Sequence, residues 1–531
     1  MDCSPNMLLL TMLRVLATIG AIVLVYRFAA ADRSGRQIRG GWSEYLLLNL
    51  ALLSVALHIG FSLYPLSVLV HEHDIFHYYM GSKYSREVGY FDLYACTAVA
   101  ESDSVAPGTS VPQHLVRKMD DYLWVYNTDL IRDAERYRSL FTADRWEEFK
   151  ADVAVFRSEF RNEAAWRKIF RDNGYNASPV WNMIARAITN VVSVQGFIGL
   201  FLLASLDPLW LGVMFFVLWK TFGRSVTLLA LVLLGSMFVM ADGTIRGSFL
   251  RFDWLALLVM ATCCLKLDRY KTAGALVAYA GAARIFPLAF AFGLGAKCLW
   301  ELVSTRRISR RYLEFFVTLA LVIVVLVGGS LLADGGTETW ESFWSKIQFH
   351  EDYMYPLRVG FKPLLLAGAA PFMDDWPADA KAQALRFDEL RAVWWAFQVL
   401  ALTAAFFAVR RLKDYETMAI GWVVVYFLVA PTYYYQVALL VPALLFLPRL
   451  RERARAHGLA LLFGISLGGY FFWMLGNTDK MVEGSLEWHR LDYDLSLKLD
   501  GALLIFALYI LGFGLYRTFA APSASDASLS E

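Results

Sequence analysis

Residues 306–333 read Arg-Arg-Ile-Ser-Arg-Arg-Tyr-Leu-Glu-Phe-Phe-Val-Thr-Leu-Ala-Leu-Val-Ile-Val-Val-Leu-Val-Gly-Gly-Ser-Leu-Leu-Ala. From Leu313 to Ala333 the run matches the ~20 predominantly apolar residues that a helix needs to cross the hydrocarbon of a bilayer. Arg306, Arg307, Arg310 and Arg311 stand at one end of it, as expected if positive side chains stay on the cytoplasmic side. The same grammar repeats along the chain. Of 531 residues, 58% are hydrophobic and 18% charged, and mean hydropathy is +0.45. A soluble globular chain carries more charge than that.

Working outward, spans are expected at roughly 7–28, 44–68, 193–219, 225–241, 252–266, 272–286, 287–303, 313–333, 393–409, 415–431, 433–448, 457–474 and 499–517, about thirteen in all with a range of twelve to fourteen. Asp207-Pro208 divides 193–219 into two pieces if proline breaks the helix, and Pro287 makes 272–303 a hairpin or a re-entrant segment. Residues 7–28 contain Arg14 and are followed by Ala29-Ala30-Ala31, which resembles a signal-peptide cleavage site. The charge pattern favours a retained first span.

Basic clusters recur at every second boundary: Arg33/Arg36/Arg39, Lys220/Arg224, Lys266/Arg269/Lys271, Arg306 to Arg311, Arg410/Arg411/Lys413 and Arg449 to Arg455. One orientation satisfies all of them, with the N-terminus outside, the C-terminus inside and two long loops on the same outer face. The fold class that follows is an all-α polytopic membrane protein with two large outer-face helical loops. Its parts are N-terminal spans (1–69), a first outer loop (70–190), a central membrane module (191–333), a second outer loop (334–392), C-terminal spans (393–518) and a small polar tail (519–531). In the first loop Trp124, Tyr137, Phe141, Trp146, Phe149, Phe156, Phe160 and Trp166 recur among charges, as in amphipathic helices lying on a membrane or against each other. The basic residues sit between apolar runs, where orientation explains them, and no nucleic-acid partner is expected. Cys263, Cys264 and Cys298 fall in apolar runs, and Cys96 has no evident disulfide partner.

The densest polar stretch leaves the second span: His71-Glu72-His73-Asp74-Ile75-Phe76-His77-Tyr78-Tyr79. A carboxylate at the bilayer edge is costly unless something pairs or uses it. If the segment is helical, Asp74, His77 and Tyr78 share a face. The bland reading is an interfacial anchor of tyrosines and histidines. A metal reading takes Glu72, His73 and His77 as ligands of a divalent ion, although their spacing matches no standard zinc site.

The Glu72-His73-Asp74 pair in a first outer loop resembles the GT-C superfamily of membrane glycosyltransferases, which use sugars carried on polyprenyl phosphates. The run Asp74-Ile75-Phe76-His77-Tyr78-Tyr79, continuing through Gly81 and Lys83 to Gly89-Tyr90-Phe91-Asp92-Leu93-Tyr94, resembles the polyprenyl-phosphate-mannose-dependent branch. So does Ala273-Gly274-Ala275-Leu276 leading to Ala283-Arg284-Ile285-Phe286-Pro287, with Arg284 in place of that branch's lysine. An extra residue before Leu93, an extra span before the loop and a long insert at 110–172 depart from the pattern.

The resemblance implies transfer of a sugar, mannose or another hexose, from a polyprenyl-phosphate donor to a lipid or glycan acceptor, with Asp74 as general base and Glu72 as second choice. A leaving phosphate needs fixed positive charge. His77, Tyr78 and Lys83 on the motif, with Arg246, Arg251, Arg284, His350 and Arg358 elsewhere on the outer face, are the candidate substrate contacts; Lys346 and Lys362 lie nearby in the second loop. Tyr433-Tyr434-Tyr435 reads by default as an aromatic belt, or else as lining for a lipid groove or a face stacked on a sugar. Two competing readings are a transporter or flippase of a lipid-linked glycan, which calls for charges at midmembrane and repeats, and a surface-glycan polymerase or ligase. Low cysteine use points to a bacterial inner membrane.

Overall fold

The computed structural model describes residues 5–34, 41–58, 70–106, 109, 111–160, 162–240, 247–333, 335–352, 354, 357–369, 376–476 and 486–520. Among them, seven helices are long and apolar enough to cross a membrane: Leu8–Arg33, Ile198–Phe222, Phe286–Thr305, Arg310–Ala333, Asp379–Ala408, Arg453–Leu475 and Arg490–Phe519. This architecture is consistent with a multi-pass α-helical membrane protein. Seven is fewer than the thirteen expected; of the expected span 44–68, residues 59–68 lie outside the described residues. Arg224–Ser236 has 13 residues, Asp253–Lys266 has 14, Tyr270–Arg284 has 15 and Met418–Leu428 has 11. At ~1.5 Å per residue, 13 residues reach only about 20 Å, against ~30 Å of hydrocarbon. These short helices are apolar because protein surrounds them: nearly every residue of Asp253–Lys266 and all of Met418–Leu428 except Leu428 are buried. Arg310–Ala333 is the opposite case, and Val324, Val325 and Leu332 lie exposed along it.

Pro208 does not divide its span; Phe197–Phe222 is one helix with the proline inside. After Arg284 the chain turns through Ile285, at φ +61°, into a 3-10 segment at Phe286–Ala291 with Pro287 in its first turn. The long helix Trp376–Ala408 starts well inside the expected second loop. Glycines let this bundle close. A Cβ on Gly274 would stand 2.4 Å from the Phe315 carbonyl oxygen, and one on Gly421 would stand 2.3 Å from the Phe290 Cα.

The segment from Val70 to Thr189 folds on a second apolar cluster. Its amphipathic helices pack on each other: Trp146, Phe149, Phe156, Trp166 and Phe170 are buried together with Phe76, Tyr79 and Tyr94. The expectation of an all-α loop needs one amendment, because Leu115–Arg117 pairs antiparallel with Trp124–Tyr126. This cluster also takes in Leu200, Leu203 and Ala204 from the Phe197–Phe222 helix, Ala283 from Tyr270–Arg284, and Phe343 from Thr337–Asp352.

Candidate functional site

The polar motif forms the helix Glu72–Lys83. His71 caps it, Nδ1 accepting the Asp74 amide at 3.2 Å, so the acidic residues fall in the first turn, where a carboxylate meets the positive end of the helix dipole. The His71 amide is tied to the Gly247 carbonyl at 2.8 Å. That bond docks the motif against a loop, Gly247 to Phe252, in which Leu250 takes φ +48°.

Two arginines converge there. Ser248 donates to Asp74 Oδ2 at 3.2 Å, and the Arg251 guanidinium lies 3.6 Å from the same oxygen. Arg251 Nη1 donates to the Tyr78 hydroxyl at 2.8 Å, and its plane lies 4.3 Å from the Tyr434 ring centroid. Arg284 sits over the Trp181 ring at 5.2 Å and donates to the Leu250 carbonyl at 3.2 Å. Asp74 and Tyr78 are one turn apart, which is why both reach the same guanidinium. Asp207 fixes the loop from below: its Oδ1 accepts the amides of Arg251 and Phe252 at 2.7 and 3.0 Å. Among the described residues, buried Nε of Arg251 and Nε of Arg284 find no acceptor. Donors left over beside a carboxylate, in a setting lined by Tyr78, Tyr434 and Trp181, suit an anion carried on an apolar or sugar-bearing molecule.

A second group lies one turn along. His77 Nδ1 donates to the His73 carbonyl at 2.7 Å. Its Nε2 then accepts from the Tyr94 hydroxyl at 2.7 Å and lies 3.6 Å from Asp172 Oδ2. His73 Nε2 is 3.3 Å from the same oxygen. Burial pushes the His77 imidazole down to about 4, helped by the neighbouring His73. Burial acts against protonation of His73 as well, but the hydrogen bond and charge of Asp172, with Asp74 and Glu72 adding theirs, hold it above its ordinary value. Asp172 is half-exposed; its partial desolvation works against its charge, yet its hydrogen bond with His73 and the charges of His77 and His73 hold it well below the usual carboxylate range. Ligand atoms of His73, His77 and Asp172 all lie within 4.8 Å of one another, so these three could hold a metal ion.

The remaining sequence candidates go elsewhere. Glu72 is half-buried in the first turn. Lys83 is buried between Asp152 at 2.6 Å and Glu148 at 2.8 Å, with Tyr84 also donating to Asp152 at 2.8 Å. Arg358 is bridged to Thr432, donates to the Ala430 carbonyl at 3.0 Å and lines a small cavity with Tyr493 and Asp500. Lys346 is fully buried under Tyr122 and donates to the Tyr90 carbonyl at 3.3 Å; burial pushes its ammonium down to about 7. Arg246 and the side chain of His350 lie outside the described residues. Sequence reasoning missed Ser248, Trp181 and Asp172, and read Tyr434 by default as aromatic belt, with a lipid groove or sugar stacking as the alternative. Arg251 was the residue of this loop that the sequence picked out, and a carboxylate inside an apolar span, as at Asp207, is a further signal that could have pointed there.

No family model, curated protein or solved structure matches the chain.

Proposed function

We propose that the chain is a membrane glycosyltransferase of GT-C type that moves a hexose, mannose among the candidates, from a polyprenyl-phosphate donor to a lipid or glycan acceptor. The observation that carries this reading is the meeting of Asp74 with Arg251 at 3.6 Å, beside a second arginine, Arg284, held over Trp181. Asp74 accepts the proton of the acceptor hydroxyl as that oxygen bonds to the anomeric carbon. The bond from that carbon to the phosphate oxygen breaks, the phosphate leaves with the electron pair, and Arg251 and Arg284 offer their free N–H groups to it. Attack opposite to departure inverts the anomeric centre. Tyr78 holds Arg251 in place, buried Trp181 backs Arg284, and half-buried Tyr434 gives a flat face to the sugar or the prenyl chain. The basic clusters at alternate boundaries support a site on the outer, periplasmic face of a bacterial inner membrane, with the short helices buried among the spans.

The test is Asp74→Asn in purified full-length protein, assayed with a synthetic polyprenyl-phosphate hexose. The expected result is a loss of about 100-fold or more in kcat with little change in KM for the donor. Full activity in that variant overturns the assignment of Asp74.

A further inference from the structure

We infer that His73, His77 and Asp172 form a zinc site whose fourth position opens to solvent. The inference rests on this geometry and not on the glycosyl-transfer reading. Zinc holds its ligands at ~2.0–2.1 Å in a tetrahedron, which separates ligand atoms by about 3.3 Å. The distances from Asp172 Oδ2 to the two histidine Nε2 atoms are 3.3 and 3.6 Å. The histidines are four residues apart on one helix, so both rings leave the same face, and their centroids are 4.6 Å apart. The tautomer of His77 is set for a ligand: Nδ1–H is spent on the His73 carbonyl, which leaves Nε2 as an acceptor, engaged by the Tyr94 hydroxyl at 2.7 Å. Nε2 also lies 3.6 Å from Asp172 Oδ2, so a divalent cation between these two acceptors would be held by both.

Chemistry selects the ion. Two imidazoles and one carboxylate suit zinc better than magnesium or calcium, which prefer oxygen. Asp172 and His73 keep 41% and 27% of their side chains exposed, so the ion is reached from solvent on that side and keeps a position for water. Binding displaces the Tyr94 proton from His77 Nε2, while the Gly174 amide, 3.0 Å from the hydroxyl oxygen, keeps Tyr94 beside the metal. The ion would pin the 172–174 segment onto the helix that carries Asp74, one residue from a ligand.

The experiment is elemental analysis of the full-length protein, purified in detergent with zinc added and then dialysed without chelator, followed by Co²⁺ substitution. The expected result is one zinc per chain, retained in Asp74→Asn and lost in His73→Ala and Asp172→Asn, with the visible absorption of tetrahedral cobalt in the wild type. Zinc well below half an equivalent with no cobalt bands, or zinc content that the ligand variants leave unchanged, overturns it. If the variants do not fold, the wild-type cobalt spectrum decides. No sugar donor enters the measurement, so it stands or falls apart from transfer activity.

Discussion

Replacing Arg251 with methionine probes the candidate site most directly. The side chain keeps its length and apolar stem but loses its charge. Three partners are lost: the Tyr78 hydroxyl at 2.8 Å, the Asp74 carboxylate at 3.6 Å and the Tyr434 face at 4.3 Å. A hydrogen bond to a charged group contributes roughly 1.5–3 kcal/mol, and a desolvated cation–π contact about 2 kcal/mol. Removing one partner of a buried pair costs roughly 3–5 kcal/mol, because the other charge is left uncompensated. These terms overlap, so the expected loss in unfolding free energy is about 4 kcal/mol. Equilibrium unfolding in mixed micelles, with a double-mutant cycle against Asp74→Asn, separates the pair from the rest. A coupling of about 2 kcal/mol is expected, well above the ~0.5 kcal/mol seen between independent sites. Arg251→Met should also lower kcat for transfer by roughly 100- to 1000-fold. A stability loss below about 1 kcal/mol together with coupling below ~0.5 kcal/mol refutes the claim that Arg251 and Asp74 act as one unit.

Two further outcomes are expected. Lys346 carries a folded-state value near 7, lowered first by burial and further by Arg117, with Asp172 and Asp120 opposing. The unfolded chain therefore binds more protons between about pH 7 and 10.5, and stability rises with pH across that window. The gain from pH 7 to 9 is at most about 2.7 kcal/mol; Lys346→Met should abolish it, and unfolding at the two pH values reads it directly. Asp152→Ala strands Lys83, which is buried, and removes the acceptor of the Tyr84 hydroxyl. Since Glu148 still pairs with the ammonium, the cost should fall near the low end of the buried-pair range, about 3 kcal/mol, with the double variant Asp152→Ala/Lys83→Met less costly than Asp152→Ala alone.

Some of this site was legible in the residues. A helix beginning near Asp74 puts Tyr78 one turn away on the same side, and both side chains do meet one guanidinium. Arg251 stood out because it follows a span on the expected outer face, and Arg284 because it ends the small-residue span before Pro287. His77 was expected on that face too, but it is three positions from Asp74 rather than four and turns to His73, Tyr94 and Asp172. Asp172, Ser248 and Tyr434 are nearly 100 or more positions from the motif, and no local pattern brings such residues together. The span count was overread for a related reason. Hydropathy registers an apolar run without saying whether lipid or protein surrounds it; Arg310–Ala333 and Asp253–Lys266 look alike by that measure, and only the first has the length to cross.

The apolar cluster shared by the first loop and the helices Phe197–Phe222 and Tyr270–Arg284 sets a timetable for biosynthesis. The segment that carries Asp74 leaves the ribosome early, but Leu200, Leu203, Ala204, Ala283 and, later still, Phe343 belong to its core. Translation proceeds at ~5–20 residues per second, so the stretch from residue 190 to residue 284 takes roughly 5–20 s. For that interval Trp146, Phe149, Phe156 and Trp166 wait with an unfinished core. The packing of the later helices against this segment, not the segment by itself, is therefore the step that lets its core close.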